Sequence, residues 1–284
     1  MKKRLLALAA FCLATPAFAD PGAPAINEPG GLPSGYALVW ADEFQNDGLP
    51  DASRWTYDTD RNRDGWYNNE LQYYSPARRE NARAENGVLI IEARREDMSR
   101  ARDWGRQHFT SSRMVTRGLA RWTYGFFEIR AKLPCGYGAW PAIWMLPAGA
   151  DTSWPGGGEI DIMEHVGQEP GVVHGTVHTG AHNHANNTHL SATTTIPDTC
   201  DAFHNYQLTW TPDRIVIGVD DRNYYQYSRD AAGGHASWPF DSPQFLLLNV
   251  AVGGWGGDDA ARLAETEFPQ RMEVDYVRVY QAPP

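Results

Sequence analysis

The sequence predicts an all-β protein, a β-sandwich or jelly roll, from many short apolar segments, the tight turns between them and almost no helix. The alternation is clearest in "GFFEIRAKL" at residues 125–133. Its apolar and charged side chains fall on opposite faces: Phe127, Ile129, Ala131 and Leu133 against Glu128, Arg130 and Lys132. A period of two residues is typical of an antiparallel strand with one buried face.

The first element is a targeting segment that we expect to be removed. The short apolar run "LLALAAFCLA" follows Lys2, Lys3 and Arg4, and "AFA" closes the segment. A basic start, an apolar core and small final residues are typical of a secretory signal peptide over residues 1–19, cleaved near Ala19. A membrane anchor is disfavoured because the run is too short to span a bilayer. We therefore expect a secreted or periplasmic protein.

The rest of the chain is predicted to be one domain of consecutive strands. Residues 20–35 are rich in Pro and Gly without periodicity, which predicts a flexible lead-in. No linker interrupts the later sequence, so we expect residues 36–284 to form a single domain, large enough for a catalytic domain. Its predicted strands begin with "YALVWADEF" and continue through "VLIIEARRE", "HNYQLTW", "RIVIGVD", "NYYQYS", "QFLLLNVAV" and "RMEVDYVRVY". The one fair helix candidate is "DDAARLAET" at residues 258–266.

The charge of the chain narrows the class of partner. The formal net charge is −10, and loss of the three cations in residues 1–19 makes it −13. An acidic surface argues against nucleic acid and anionic membranes as partners, and mildly against sulfated substrates. No later stretch reaches about 18 apolar residues, so we expect no membrane span. We expect a monomer.

Two residue types leave alternatives open. Cys12 belongs to the signal peptide, whereas Cys135 and Cys200 either form one disulfide, as exported proteins often do, or stay apart. Eleven Trp and 13 Tyr are many for 284 residues, and several stand beside Gly or Asn. They are either large core side chains or flat platforms that stack on sugar rings.

The segment "GGGEIDIMEHVG" at residues 156–167 holds three carboxylates, Glu159, Asp161 and Glu164. The first two share a face, but in a regular strand Glu164 would point the opposite way. A β-bulge near Met163 would return it to their face. The two glutamates could then approach to about 5 Å, as retaining glycoside hydrolysis requires, whereas roughly 6.5–9.5 Å would suit inversion. The alternative is one exposed acid, with the others paired to arginines.

These residues resemble glycoside hydrolase family 16. The acidic segment is similar to the catalytic strand of that family in its bulged Glu-x-Asp-x-x-Glu form. Further segments are similar, in order, to the endo-1,3-β-glucanase (laminarinase) branch: "WYNNELQYY", "SSRMVT", "YGFFEIRAKLP", "GAWPAIWMLP" and "HGTVHTGAHNH". The similarity extends over nearly the whole chain, from "LVWADEF" to "VDYVRVYQ".

The resemblance implies a β-jelly-roll sandwich of two curved antiparallel sheets with a concave substrate cleft. It implies a retaining mechanism in which Glu159 is the nucleophile, Glu164 the general acid/base and Asp161 the assisting carboxylate. The implied substrate is a β-glucan polysaccharide, and no cofactor is implied for catalysis.

Four tryptophans are candidates for binding the substrate. Trp140 and Trp144 are four residues apart and point to the same side of a regular strand. Both could be core, but we expect Trp140 to be a sugar platform and Trp144 to be core. Trp154 lies in a Pro/Gly loop before the acidic strand and predicts an exposed platform. Trp255 is ringed by glycines, which suits the rim of a cleft.

Asn68 and Arg94 are polar candidates with alternative roles. An amide at Asn68 could bind sugar hydroxyls, or the residue could serve turn chemistry. Arg94 could contact sugar, or pair with Glu92 or Glu96.

The sequence offers candidates for two metal sites. Five histidines invite a zinc interpretation, but their spacing matches no helical motif, and the resemblance makes His178 a cleft residue beside the acids. The five are His174, His178, His182, His184 and His189. The resemblance also implies a structural Ca²⁺ held by backbone carbonyls and an aspartate, at Glu43, Gly87 and Asp275.

The sequence thus predicts a secreted endo-1,3-β-glucanase. The alternatives within the family are mixed-linkage 1,3-1,4-β-glucan, agar or carrageenan as substrate, or transglycosylation. The alternative from another class is a non-catalytic β-glucan-binding protein, which the presence of both glutamates disfavours.

Overall fold

Strands dominate the part of the chain that the computed structural model describes, residues 25–149, 153–230 and 232–283. The predicted signal peptide, residues 1–19, lies outside the described residues. In chain order the strands are β1 (Ala25–Pro29), β2 (Ala37–Asp42), β3 (Thr56–Tyr57), β4 (Gln72–Tyr74), β5 (Ala82–Glu85), β6 (Val88–Arg95), β7 (Phe109–Ser111), β8 (Arg113–Val115), β9 (Gly125–Lys132), β10 (Ala139–Pro147), β11 (Glu159–His165), β12 (Val172–His178), β13 (Leu190–Thr195), β14 (His204–Trp210), β15 (Arg214–Val219), β16 (Arg222–Ser228), β17 (Gln244–Val252) and β18 (Gln270–Gln281).

The strands form two sheets. Eleven belong to the large sheet, in the order β1-β16-β15-β14-β9-β18-β6-β7-β4, with β2 beside β18 and β5 beside β6. Seven belong to the small sheet, in the order β13-β12-β11-β10-β17-β8-β3. Neighbouring strands are antiparallel, except that β4 and β7 run parallel. This architecture confirms the predicted jelly-roll sandwich.

The core lies between the sheets because the strands alternate as the sequence indicates. On β9, Phe127 and Ile129 are fully buried. The charged side chains of the same strand face outward, where Arg130 pairs with Asp275 at 2.5 Å and Lys132 with a glutamate of β18 at 3.1 Å. β9 thus contributes one apolar face to the core.

The helical content is small, as expected. Helix α2 (Ala260–Glu265) lies inside the predicted segment, and the Asp259 side chain caps it by accepting from the backbone N–H of Arg262. A second short helix, α1 (Gly234–Ser237), was not predicted. Short 3₁₀ turns cover Tyr67–Asn69, His184–Asn186 and Gly254–Gly256. Within the described residues, no helix is long and apolar enough to cross a membrane.

The prediction of a flexible lead-in over residues 20–35 is wrong for part of that segment. Residues 25–29 form β1, which pairs with β16 at the edge of the large sheet, where Gly30 N–H also donates to the Asp221 carbonyl. Pro/Gly-rich composition hides this strand, because a partner strand supplies its backbone hydrogen bonds.

Of the two alternatives for Cys135 and Cys200, the structure shows the disulfide. Cys135 and Cys200 form a disulfide, with their Cα atoms 5.8 Å apart. The bond ties the segment after β9 to the segment before β14.

Candidate active site

The acidic segment forms β11, and its register contains the predicted bulge. Against β10, Met163 pairs with Ile143, but Asp161 already pairs with Trp144, so one residue is extra. The register against β12 shifts at the same place, between Asp161 and Glu164. A bulge at Ile162–Met163 is therefore confirmed.

Gly175 on β12 lies opposite the bulge and shows how the sequence accommodates it. A Cβ at this position would lie 2.7 Å from the hydroxyl of Tyr224 and 3.2 Å from Ile217. The absence of a side chain lets Tyr224 and Ile217 pack closely against β12 opposite the two bulged residues, which are both fully buried.

The bulge places the three acids together. Ile160, Ile162 and Met163 point into the core, whereas Glu159, Asp161 and Glu164 line one cleft of about 740 Å³ on the small sheet. A regular strand would have sent Glu164 into the core, where an unpaired carboxylate is costly.

Each glutamate accepts one indole N–H. Trp154 Nε1 donates to Glu159 Oε2 at 3.0 Å, and Trp140 Nε1 donates to Glu164 Oε1 at 3.0 Å. His178 Nε2 lies 3.5 Å from Asp161 Oδ2 and 3.8 Å from Glu159 Oε1. Each catalytic candidate is thus held by a neighbour from another segment.

Burial raises the pKa of all three carboxyl groups. Repulsion from Glu164 adds to the effect on Glu159, and repulsion from both glutamates adds to the effect on Asp161. Burial raises the pKa of Glu164 to about 7. Burial raises the pKa of Glu159 to about 8, and the interaction with Asp161 opposes that rise while it raises the pKa of Asp161. Of these two neighbours, Asp161 therefore holds a proton more readily than Glu159 does.

Within the described residues, the five histidines do not come together as three ligands of one ion, as a zinc site built from histidines would need. Among the described residues, one group of His, Cys and acidic side chains could hold an ion, and it consists of Glu159, Asp161 and His178. It contains a single histidine. Burial lowers the pKa of His178 to about 3, so its ring is neutral beside the acids.

Four of the predicted substrate residues line the cleft. Asn68, Trp140, Trp144 and Trp154 do so, and Trp154 is 40% exposed, as a platform requires. Asn68 also adopts a left-handed turn with φ of 56°, so both of its proposed roles are compatible with its position. Trp255 is 37% exposed and meets Trp140 edge-on, with ring centroids 5.7 Å apart.

Three predicted placements need correction. Arg94 lies away from the cleft on the large sheet, where it pairs with buried Glu92 and approaches Glu96 at 3.6 Å. Trp144 is not simply core, because it lines the cleft and donates from Nε1 to Asn249 Oδ1 at 2.8 Å. His178 lies beside the acids as expected, but it is 6% exposed and does not line the cleft.

Sequence reasoning missed six charged residues that line the cleft: Asp58, Asp60, Arg61, Glu70, Arg113 and Arg117. Glu70 and Arg113 lie in quoted segments, "WYNNELQYY" and "SSRMVT", yet neither stands out by spacing. The aromatic neighbours of Arg113 are distant in sequence: its guanidinium lies 5.1 Å from the ring centroid of Trp66 and 4.6 Å from that of Trp144. The signal available was the presence of a charge within an apolar or aromatic segment.

The predicted calcium ligands fit only in part. Gly87 and Asp275 line one surface pocket on the large sheet, together with Asp47 and Asn86. The carboxylate of Glu43 forms a two-bond pair with Arg278, at 2.8 and 2.9 Å. Glu43 could therefore offer only its carbonyl oxygen, so the donor set would be carbonyls plus one aspartate, which are hard oxygen ligands. Calcium stays a prediction.

Comparison with known proteins gives a consistent result. The model of "Glycosyl hydrolases family 16" matches residues 69–278. A "Beta-glucanase" from Rhodothermus marinus is 51% identical over 254 residues, which cover 87% of this chain and 85% of that protein.

Two solved structures are similar throughout. One is SCLam, called a non-specific endo-beta-1,3(4)-glucanase from family GH16, with a TM-score of 0.86 and 55% identity over 92% of this chain and 96% of that chain. The other is the laminarinase from Rhodothermus marinus, with a TM-score of 0.80 and 49% identity over 88% and 98% of the two chains.

Proposed function

The chain belongs to glycosyl hydrolase family 16, and on that premise we propose that it is an endo-acting β-glucanase that cleaves 1,3-β-glucan of the laminarin type with retention of configuration. The observation that carries the proposal is the bulge of β11, which gathers Glu159, Asp161 and Glu164 in one cleft. Tryptophans on both sides of these acids supply the flat apolar surfaces that sugar rings stack on.

The chemistry follows from the partners of each acid. Glu159, charged and held by the Trp154 N–H, attacks the anomeric carbon as the glycosidic C–O bond breaks. Glu164 gives its proton to the leaving oxygen. It then takes a proton from water, whose oxygen attacks the anomeric carbon and releases Glu159. No step needs a cofactor.

A second specificity has support of its own. The similar structure at 55% identity is called non-specific for 1,3(4) linkages, so mixed-linkage 1,3-1,4-β-glucan is the second candidate substrate. A non-catalytic glucan-binding role is disfavoured because both glutamates line the same cleft and each accepts a hydrogen bond from a tryptophan indole.

The test is a product profile on laminarin, barley mixed-linkage glucan, agarose and carrageenan. We expect internal cleavage of laminarin with β-configured products by NMR at early times, and no sugar released from agarose or carrageenan. Glu159→Ala should lower kcat by at least about 10⁴-fold, since the covalent step is lost. Hydrolysis by the Glu159→Ala variant would contradict the role of Glu159 as nucleophile, and α-configured products would contradict retention.

We also propose that the protein is exported and works as a monomer on soluble or particulate glucan, without nucleic acid or membrane partners. The basic and apolar start of the chain and the net charge of −10 support this. Amino-terminal sequencing of the exported protein should give Asp20 as the first residue. Light scattering should give the molar mass of a single chain. Retention of residues 1–19 on the working protein would contradict export by cleavage.

A further inference from the structure

One nitrogen and two oxygens at the catalytic strand are spaced like the ligands of a single metal ion. His178 Nε2 lies 3.5 Å from Asp161 Oδ2 and 3.8 Å from Glu159 Oε1. One ligand atom from each of the three residues lies within 4.8 Å of the other two. Both distances are long for an N–H···O hydrogen bond, which is usually about 2.7–3.2 Å. Ligand atoms at about 2.0–2.2 Å from a tetrahedral ion stand about 3.3–3.6 Å apart, which is nearer to the observed spacing.

The oxygen of Asp161 in this group is buried without a hydrogen-bond partner. Asp161 is 2% exposed, and its Oδ2 makes no hydrogen bond within the described part of the chain. A buried polar atom left in this way costs roughly 1–3 kcal/mol. An ion bound between Asp161 and His178 would give that oxygen a partner.

The cleft gives a cation access to these atoms and a favourable field. Glu159 and Asp161 line the cleft, while His178 approaches them from the neighbouring strand, β12. The charged residues of the cleft lining are six acids and three arginines, a formal excess of three negative charges. A cleft lined by an excess of one sign of charge concentrates ions of the opposite sign.

The donor set selects the kind of ion. Two carboxylate oxygens and one imidazole nitrogen suit Zn²⁺ and similar transition-metal ions, whereas Ca²⁺ and Mg²⁺ prefer oxygen ligands alone and more of them. Burial of the His178 ring disfavours its charged form, and the neutral ring is the form that binds metals. Three protein ligands leave a fourth position, which water from the cleft can fill.

We propose that Glu159, Asp161 and His178 form an inhibitory site for Zn²⁺, or a transition-metal ion of the same preference, when no glucan is bound. The ion takes the place of the proton on Asp161, which passes to solvent. The site differs from one built from the five histidines, because only His178 contributes to it. Binding is independent of the proposed function, but inhibition rests on it: a carboxylate that coordinates zinc cannot attack the anomeric carbon.

The first test is calorimetric titration of the protein with Zn²⁺ in a non-chelating buffer that contains excess Ca²⁺. The Ca²⁺ fills sites made of oxygen alone, so the heat reports the mixed site. We expect one Zn²⁺ per chain. His178→Gln and Asp161→Asn should each weaken the affinity at least about 100-fold, since loss of a group that merely supports a metal ligand already costs about 10–100-fold.

His204→Gln is the matched control. The ring of His204 also contacts two carboxylates, Asp220 at 2.6 Å and Asp198 at 3.2 Å, but through different nitrogens, so one ion cannot take its place among them. This variant should bind Zn²⁺ as the wild type does. Loss of binding in His204→Gln with full affinity in His178→Gln would place the ion elsewhere and overturn the proposal.

A second readout is the kinetic form of the inhibition on laminarin. Sugar and ion exclude one another at Glu159, so Zn²⁺ should raise KM and leave kcat unchanged. A chelator should restore the activity, and Mg²⁺ at the same concentration should have no effect. A fall in kcat at unchanged KM would contradict a site on the nucleophile.

The wild-type protein alone decides the question if both ligand variants fail to fold. Bound Co²⁺, used in place of Zn²⁺, should give the intense visible absorption of a four-coordinate ion. The weak absorption of six-coordinate Co²⁺ would overturn the proposal. So would a wild-type protein that binds no Zn²⁺, or full affinity in folded His178→Gln and Asp161→Asn proteins.

Failure of the inference and failure of the proposed function give different results. A wild-type protein that binds Zn²⁺ but has no activity on any β-glucan would remove the proposed function and leave the site. An active wild-type protein that neither binds Zn²⁺ nor is inhibited by it would remove only the inference.

Discussion

Glu164 shows at the scale of one residue that catalysis and stability compete. Burial raises the pKa of its carboxyl to about 7, while an unfolded glutamate titrates near about 4.3. A raised folded pKa means that the stability present below pH 4.3 is lost as the pH rises through 7. The protein therefore holds Glu164 in its active form only by accepting a weaker fold in mildly alkaline solution.

Glu164→Gln should consequently be more stable than the wild type at pH 8. Glutamine offers the Trp140 N–H an acceptor oxygen but never ionises, so the cost of a buried charge disappears. We expect a gain of about 1–3 kcal/mol in the free energy of unfolding at pH 8, shrinking towards zero at pH 4.5. Urea denaturation at both pH values checks this. A gain of equal size at both would contradict the linkage, and exposed Glu80→Gln is the control.

At the scale of the element, the bulge of β11 brings three acids of one strand into the same cleft. Ile162 and Met163 both point into the core, so β11 contains one residue more than β10 at this place. The acids before and after the extra residue therefore face the same side of the sheet. Before and after the bulge the strand alternates normally. The bulge therefore lengthens the path between Glu159 and Glu164 while keeping both in the cleft.

This geometry predicts different results for two single deletions. Removing Met163 restores a regular strand in which the two glutamates are four residues apart and still share a face. Removing Ile160 costs a comparable core side chain but places Glu159 and Asp161 on opposite faces. We expect the first variant to keep measurable hydrolysis of laminarin and the second to keep none.

Melting temperatures show that both deletion variants fold before their rates are compared, because each loses about 2–5 kcal/mol of core packing. Activity in the Ile160 deletion, or none in a folded Met163 deletion, would contradict the geometry.

The elements also show what sequence alone could predict. The sequence predicts β9, β14 and β17 because the pattern of apolar side chains that marks each strand lies within the strand itself. It predicts the bulge because Glu164 interrupts the two-residue alternation of β11. β1 and the two-residue β3 are missed because partner strands define them. Glu70 and Arg113 are missed as a pair because only tertiary packing brings their charges into one cleft.

At the scale of the whole molecule, one covalent bond joins parts of the sandwich next to the site. Cys135 and Cys200 are 65 residues apart in sequence, and the loop they close contains all of β11. Cys135 Sγ also lies 3.8 Å from Nε2 of His165, the neighbour of Glu164. The ring nitrogen accepts from the Gly171 N–H at 3.2 Å, which fixes the end of the catalytic strand.

Replacing both cysteines by serine should therefore lower stability much more than it changes catalysis. Closing a loop of 65 residues restricts the unfolded chain by about 4 kcal/mol in the chain-entropy model, so the free energy of unfolding should fall by roughly 2–4 kcal/mol. The limbs of the pH profile of activity should stay in place, because neither cysteine lines the cleft. Denaturation and the profile on laminarin check the two parts. Unchanged stability would mean that the bond does not constrain the unfolded chain. A displaced alkaline limb would mean that the charge on Glu164 depends on the packing of Cys135 against its neighbour His165.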